Sequence, residues 1–138
     1  MERKAAVTRQ SGVRGLVERI GEERVRAILR RFYRRLREDA LVGFFFAGRD
    51  LDDIADGQLA FLQRATGAAP HRPPRHPREA HRDLPPILRG HFDRRLLVLR
   101  EVLEAEGVQA EDVEVWLRLE QSLRALIQSR EPRPARKA

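Results

Sequence analysis

Cysteine is absent from the 138 residues, which excludes disulfides, thiolate metal sites and thiol nucleophiles together. Tryptophan and tyrosine occur once each, so Tyr33 is the only phenol available to any chemistry. No apolar run approaches the roughly 20 residues of a membrane span, and the basic N-terminus is not followed by an apolar signal core. The expectation is therefore a soluble, cytoplasmic chain without a membrane partner. Alternating β-branched and aromatic residues are scarce as well, which argues against strands. Acidic residues are outnumbered: 28 basic against 21 acidic residues give a net charge of +7. The basic residues are nearly all arginine, are spread over every helical stretch and are not grouped with aromatics. No helix-turn-helix, finger or RNP signature accompanies them. The charge therefore reads as a solvated surface, with a small basic helical nucleic-acid-binding protein as the alternative.

The length suits one domain with a real core. It is placed at 13–129, between a flexible basic segment at 1–12 and a disordered basic tail at 130–138. Apolar residues recur at helical spacing, so the fold class is all-α. A short helix is expected at 13–20, stopping at Gly21. The next carries Val25, Ile28, Leu29, Phe32 and Leu36 on one face, with Tyr33 at its border. The run 41–46 is densely apolar and too short for a long helix. Asp50 is a candidate N-cap for a helix whose inward stripe is Leu51, Ile54, Gln58, Phe61, Leu62 and Ala65, ending at Gly67. Residues 68–80 hold four prolines and leave room for one helical turn, at about 79–82, before Pro85-Pro86. A further helix buries Phe92, Leu96, Leu99 and Leu103 up to Gly107. The last, about 112–128, places Trp116, Leu119, Leu123 and Leu126 inward.

Few residues on this frame carry chemistry. His81 sits on a short element pinned by prolines, where an imidazole can be held out as a metal ligand; an exposed loop histidine is the plain alternative. His71, His76 and His91 read as surface or loop residues. A zinc site from His71, His76 and His81 has no carboxylate to complete a familiar pattern. Gln58 is a polar side chain on an apolar stripe, so it needs a hydrogen-bond partner in the core or a ligand to face. Tyr33, if buried, needs one for its hydroxyl. Phe44, Phe45, Phe46 and Phe61 are most simply core. Taken together, a strong ligand facing a small polar wall in an aromatic pocket fits haem, for which histidine is the usual axial ligand where oxygen is bound.

These residues, in this order, resemble the truncated haemoglobins, and within them the first group. The likeness runs over 20–127. It is carried by Phe32-Tyr33, Phe44-Phe45-Phe46, Gln58 with Phe61, His81, and Gly90-His91-Phe92 leading to Gly107-Val108. The resemblance implies a two-over-two helical sandwich around haem b, with the proximal turn reduced almost to a loop. It implies His81 as the iron ligand, Tyr33 as the main distal donor and Gln58 as its assistant. Phe46 would stack on the porphyrin, Ile54 would stand at a distal gate and Phe61 would line an apolar route for gases. Phe45, Phe92 and Arg95 complete the residues expected against the cofactor. The implied ligands are dioxygen, nitric oxide and carbon monoxide, in a monomer or weak homodimer. Some members turn over nitric oxide with dioxygen to nitrate; others are carriers, sensors or weak peroxidases. A separate reductase would have to restore ferrous iron.

The chain departs from the family pattern in places. Its glycine hinges are reduced to Gly21-Glu22 and Gly67-Ala68-Ala69-Pro70. The tyrosine often found before the proximal turn is missing, and Leu62 replaces a phenylalanine that some members carry. One extra residue lies between His81 and Phe92. Arg95 occupies a position that is usually apolar and close to haem, so it either reaches a propionate or reports a rotated helix. The second group usually has a tryptophan in that stretch, and here Trp116 belongs to the last helix.

Overall fold

The structure, a computed structural model, describes residues 12–129. The basic segment expected at 1–12, Gly12 excepted, and the tail expected at 130–138 lie outside the described residues. Every regular element among those described is helical. The helices are α1 (Leu16–Ile20), α2 (Glu22–Glu38), α3 (Leu51–Ala65), α4 (Pro77–Ala80), α5 (Arg89–Ala105), α6 (Ala110–Ser122) and α7 (Arg124–Ile127), with a 3-10 turn at Gly43–Phe46 between α2 and α3. The long helices form two pairs, α2 on α3 and α5 on α6, and the pairs meet where α2 packs on α5. The all-helical content is what the apolar periodicity predicts, and the pairing of the helices is consistent with the sandwich that the resemblance implies. Among the described residues no helix is long and apolar enough to cross a membrane.

α2 buries Val25, Ile28, Leu29, Phe32 and Leu36, with Tyr33 beside them, as the spacing predicts. It starts at Gly21, whose φ of 103° lies in a region that side chains other than hydrogen rarely adopt. Glu22 and Glu23 open the helix and Arg35 and Arg37 close it, matching the charges at the two ends of the helix dipole. Past the end of α2, Gly43 brings the chain back against it. A Cβ there would lie 2.4 Å from the Arg37 carbonyl oxygen, so the 3-10 turn can approach α2 only through glycine. That approach delivers Phe46 beside Tyr33, ring centroids 5.8 Å apart, and buries Phe45. Phe44, expected in the core, is instead 52% exposed. With three residues per 3-10 turn, consecutive side chains leave in three directions, and only those facing the helices are covered.

α3 begins at its expected cap, with the Asp50 carboxylate accepting the Asp53 N–H at 3.1 Å. Its inward stripe divides into two faces. Leu51, Ala55, Leu59 and Leu62 are buried in the core. Ile54, Gln58 and Phe61, one step around the helix, are half-buried and border a cavity.

Several expected boundaries move. The first helix is confined to Leu16–Ile20. The single turn of the proline-rich stretch lies at Pro77–Ala80, two residues earlier than expected. The reason is local: Pro77 sits at the first helical position, where its missing N–H costs nothing, and the His76 side chain accepts the Arg78 N–H at 3.1 Å. The last helix, expected to be continuous, breaks at Leu123 between α6 and α7. Beyond the break, the Ser129 N–H donates to the Ile87 carbonyl at 2.7 Å and the Ile87 N–H donates to Ser129 Oγ at 3.0 Å. These bonds, with the packing of α7 on α4, hold the proline-bounded link that carries His81.

Candidate functional site

A cavity of about 510 Å³ opens between α2, α3, the proline-rich link and the start of α5, within the size range of cofactor and ligand pockets. Tyr33, Gln58 and His81 all border it. So do Phe45, Phe46, Ile54, Phe61, Phe92 and Arg95. The sequence positions singled out for the cofactor thus come from separate elements to a single space.

His81 caps the single turn of α4 and is half-buried. Its Nδ1 lies 2.6 Å from the Pro77 carbonyl oxygen. A carbonyl only accepts, so Nδ1 carries the proton and donates, leaving Nε2 as the basic nitrogen. Burial pushes the His81 imidazole below its ordinary range; the Arg95 and Arg49 charges act in the same sense, against the Pro77 bond and the Glu120 charge. A neutral imidazole with one ring nitrogen oriented by a carbonyl is the form in which histidine ligates metals. The other two histidines of the zinc alternative are occupied separately. His71 Nδ1 is 2.9 Å from Gln63 Oε1, and His76 caps α4. No group of three or more potential ligands gathers among the described residues.

The opposite chemistry is concentrated around a residue that the sequence reading did not single out. Glu120 of α6 is only 2% exposed and accepts three side-chain hydrogen bonds. Gln58 Nε2 donates to its Oε1 at 2.9 Å, Trp116 Nε1 to the same oxygen at 3.3 Å, and Arg95 Nη1 to Oε2. Arg95 Nη2 in turn donates to the Tyr33 hydroxyl oxygen at 3.3 Å, and its guanidinium carbon lies 5.1 Å from the Phe32 ring centroid. Arg95 thus has protein partners of its own at the edge of the cavity. It pairs with Glu120 across the wall of the cavity. Burial alone would lower its affinity for a proton, but Glu120 and Tyr33 outweigh that and hold it above the ordinary value. Tyr33 is 5% exposed. Burial raises its hydroxyl pKa and Glu120 adds to the rise, while Arg95 opposes both.

The signal for Glu120 was present in the sequence. Val113, Trp116, Glu120 and Leu123 are spaced three and four apart and all are buried, so a carboxylate stands on an apolar stripe and needs a cation. His91 was also misread as a surface residue. It borders the cavity, edge-on to Phe45 with ring centroids 5.1 Å apart, and its Nδ1 accepts the Leu88 N–H at 3.0 Å. Three further cations, Arg49, Arg72 and Arg75, border the same space. Arg72 is held by Asp53, donating to its carboxylate and its carbonyl at 2.8 Å each.

The sequence model of the bacterial-like globins matches residues 15–129, nearly all of the described chain. The chain belongs to the truncated globins. It is 34% identical over 94 residues to Group 1 truncated hemoglobin LI410 of Chlamydomonas moewusii, an alignment covering 67% of this chain and 55% of that protein. The chain thus spans about half the length of the relative it matches. Globin membership implies haem, and the donor set of this globin fits it. A free imidazole nitrogen meets an apolar, aromatic space, and arginines at its border complement the carboxylates that haem carries.

Proposed function

We propose that this globin binds haem b with His81 as the iron ligand and reversibly binds dioxygen, with nitric oxide and carbon monoxide as further ligands. The observation that carries the reading is the His81 ring. Its Nδ1–H is committed to the Pro77 carbonyl, so a single basic nitrogen remains, on a cavity wall that also holds a buried tyrosine. Bound haem supplies an iron centre able to take a small gas. The protein's own residues hold and shape what is bound. Phe45, Phe46, Phe92, Ile54 and Phe61 provide apolar walls, which exclude water and strengthen each polar contact inside. Arg49, Arg72 and Arg75 provide cations for the propionates. Tyr33 donates a hydrogen bond to the gas.

Conversion of nitric oxide and dioxygen to nitrate requires one electron for each turnover, and a separate reductase is its proposed source. The residues above serve storage and turnover alike: they retain dioxygen and keep the pocket dry.

The test is the absorbance spectrum of the purified chain, as isolated and after addition of haem, in ferric, ferrous and carbonyl forms. A sharp Soret band is expected, lost or reshaped in His81→Gly and restored when imidazole is added to that variant. A chain that stays colourless and takes up no haem overturns the proposal.

A further inference from the structure

The polar wall of the cavity has a direction, and it originates outside the cavity. Glu120 does not border that space, yet each of its oxygens is engaged, Oε1 by Gln58 and Trp116 and Oε2 by Arg95. A carboxylate in an ion pair only accepts, so the Gln58 amide must turn its nitrogen toward Glu120. A guanidinium only donates, so Arg95 must occupy a lone pair of the Tyr33 oxygen. No side-chain or backbone acceptor among the described residues takes the Tyr33 hydrogen. We infer that Glu120 and Arg95 are a positioning pair that makes Tyr33 a hydrogen-bond donor toward the cavity, and thereby selects gases whose outer atom accepts a hydrogen bond, such as dioxygen, over carbon monoxide.

The chain of bonds spans three helices, which is why one substitution at its origin is felt at its end. Arg95 on α5 stands between Glu120 on α6 and Tyr33 on α2. Without Arg95 the phenol rotates freely, and its oxygen is as available to the cavity as its hydrogen. Glu120→Gln preserves size but removes the charge that pairs with Arg95, and it sets an NH2 donor against the Trp116 N–H, which can only donate, so the guanidinium is no longer held by an ion pair. Glu120 is buried and Arg95 half-buried, which makes the arrangement stiff. A buried charge that leaves its partner is destabilised, so the guanidinium stays in one place.

The inference rests on the haem reading, and the experiment separates the failure of one from the failure of the other. With haem-loaded protein, dissociation rates of dioxygen and of carbon monoxide are measured in Arg95→Leu and Glu120→Gln, each with Tyr33 and with Tyr33→Phe. Dioxygen release is expected to quicken about 10-fold in either single variant, with carbon monoxide release within about 3-fold, since only the gas whose outer atom accepts the Tyr33 hydrogen bond loses by its misdirection. The further effect of Tyr33→Phe is expected to shrink to about 3-fold in both backgrounds. Equal changes for both gases, or an undiminished effect of Tyr33→Phe, overturn the inference and leave the pair a structural ion pair only.

A second readout needs no haem. Tyr33 is the only tyrosine, so its ionisation can be followed alone by ultraviolet absorbance of the chain as purified. It is expected to move to higher pH in Arg95→Leu, or in the charge-balanced Arg95→Leu/Glu120→Leu variant where the single one does not fold. A titration that coincides with wild type overturns the inference whether or not haem binds.

Discussion

Tyr33 shows how one side chain is defined from two directions. Its ring packs 5.1 Å from Phe32 and 5.8 Å from Phe46, centroid to centroid, which fixes where the hydroxyl stands. Arg95 then fixes which way the hydroxyl hydrogen can turn. Tyr33→Phe keeps the packing and removes only the hydroxyl. Dioxygen dissociation, measured by ligand replacement after a flash, is expected to accelerate by about 10- to 100-fold, the equivalent of one charge-assisted hydrogen bond. An unchanged rate would remove Tyr33 from the site. At this scale much was legible in the sequence: the lone phenol, the histidine at the end of the proline-rich link and the polar residue on an apolar stripe all stood out. The directions of the Tyr33 and Gln58 hydrogen bonds did not, because they depend on partners 62 residues away.

Among the elements, the join between α2 and α5 depends on a carboxylate at a helix end. Asp39 follows α2 and accepts Arg94 Nε of α5 at 2.8 Å and the Leu41 N–H at 2.9 Å. These bonds, the Arg94 bond foremost, hold its carboxyl below the ordinary carboxylate range against the opposing effect of burial. An acid whose folded-state pKa is depressed binds fewer protons folded than unfolded, so stability rises with pH across that interval. The contribution is complete above the ordinary carboxylate range and is lost as pH falls through the lowered folded value. Thermal melts of Asp39→Asn across pH 2 to 6 are expected to show a lower Tm at pH 6 and a shallower acid decline than wild type. Parallel curves would show that Asp39 does not contribute to the acid limb. Helix identities were readable from periodicity and from the Asp50 cap. The break at Leu123 was not, because the periodicity continues through it. The turn is fixed by Ser129 bonding to Ile87.

In the molecule as a whole, Tyr33, Gln58, Arg95 and Glu120 lie on α2, α3, α5 and α6 respectively, so one polar network joins both layers of the sandwich. Removing a single partner leaves the other charge without compensation, which costs about 3–5 kcal/mol where a buried pair is broken. Replacing both with apolar residues of similar volume is frequently neutral or stabilising. Chemical denaturation is therefore expected to find Arg95→Leu markedly less stable than Arg95→Leu/Glu120→Leu. If the double variant is the weaker of the two, the network contributes more to the fold than a balanced ion pair does.

The sequence by itself determined the helices, their order, the proline-held turn bearing His81 and the set of residues that would share a pocket. The helices and the turn follow from local spacing and local backbone limits, which act within a few residues, whereas the set of pocket residues follows from the resemblance to the truncated haemoglobins. Only the tertiary structure decided which face of α3 borders the cavity and which enters the core, because both faces are apolar and periodicity treats them alike. It likewise moved Phe44 outward and His91 inward. It also paired Arg95 with Glu120, two charges each out of place on its own helix. A buried charge announces that it needs a partner; which partner it finds is a matter of distance in the folded chain.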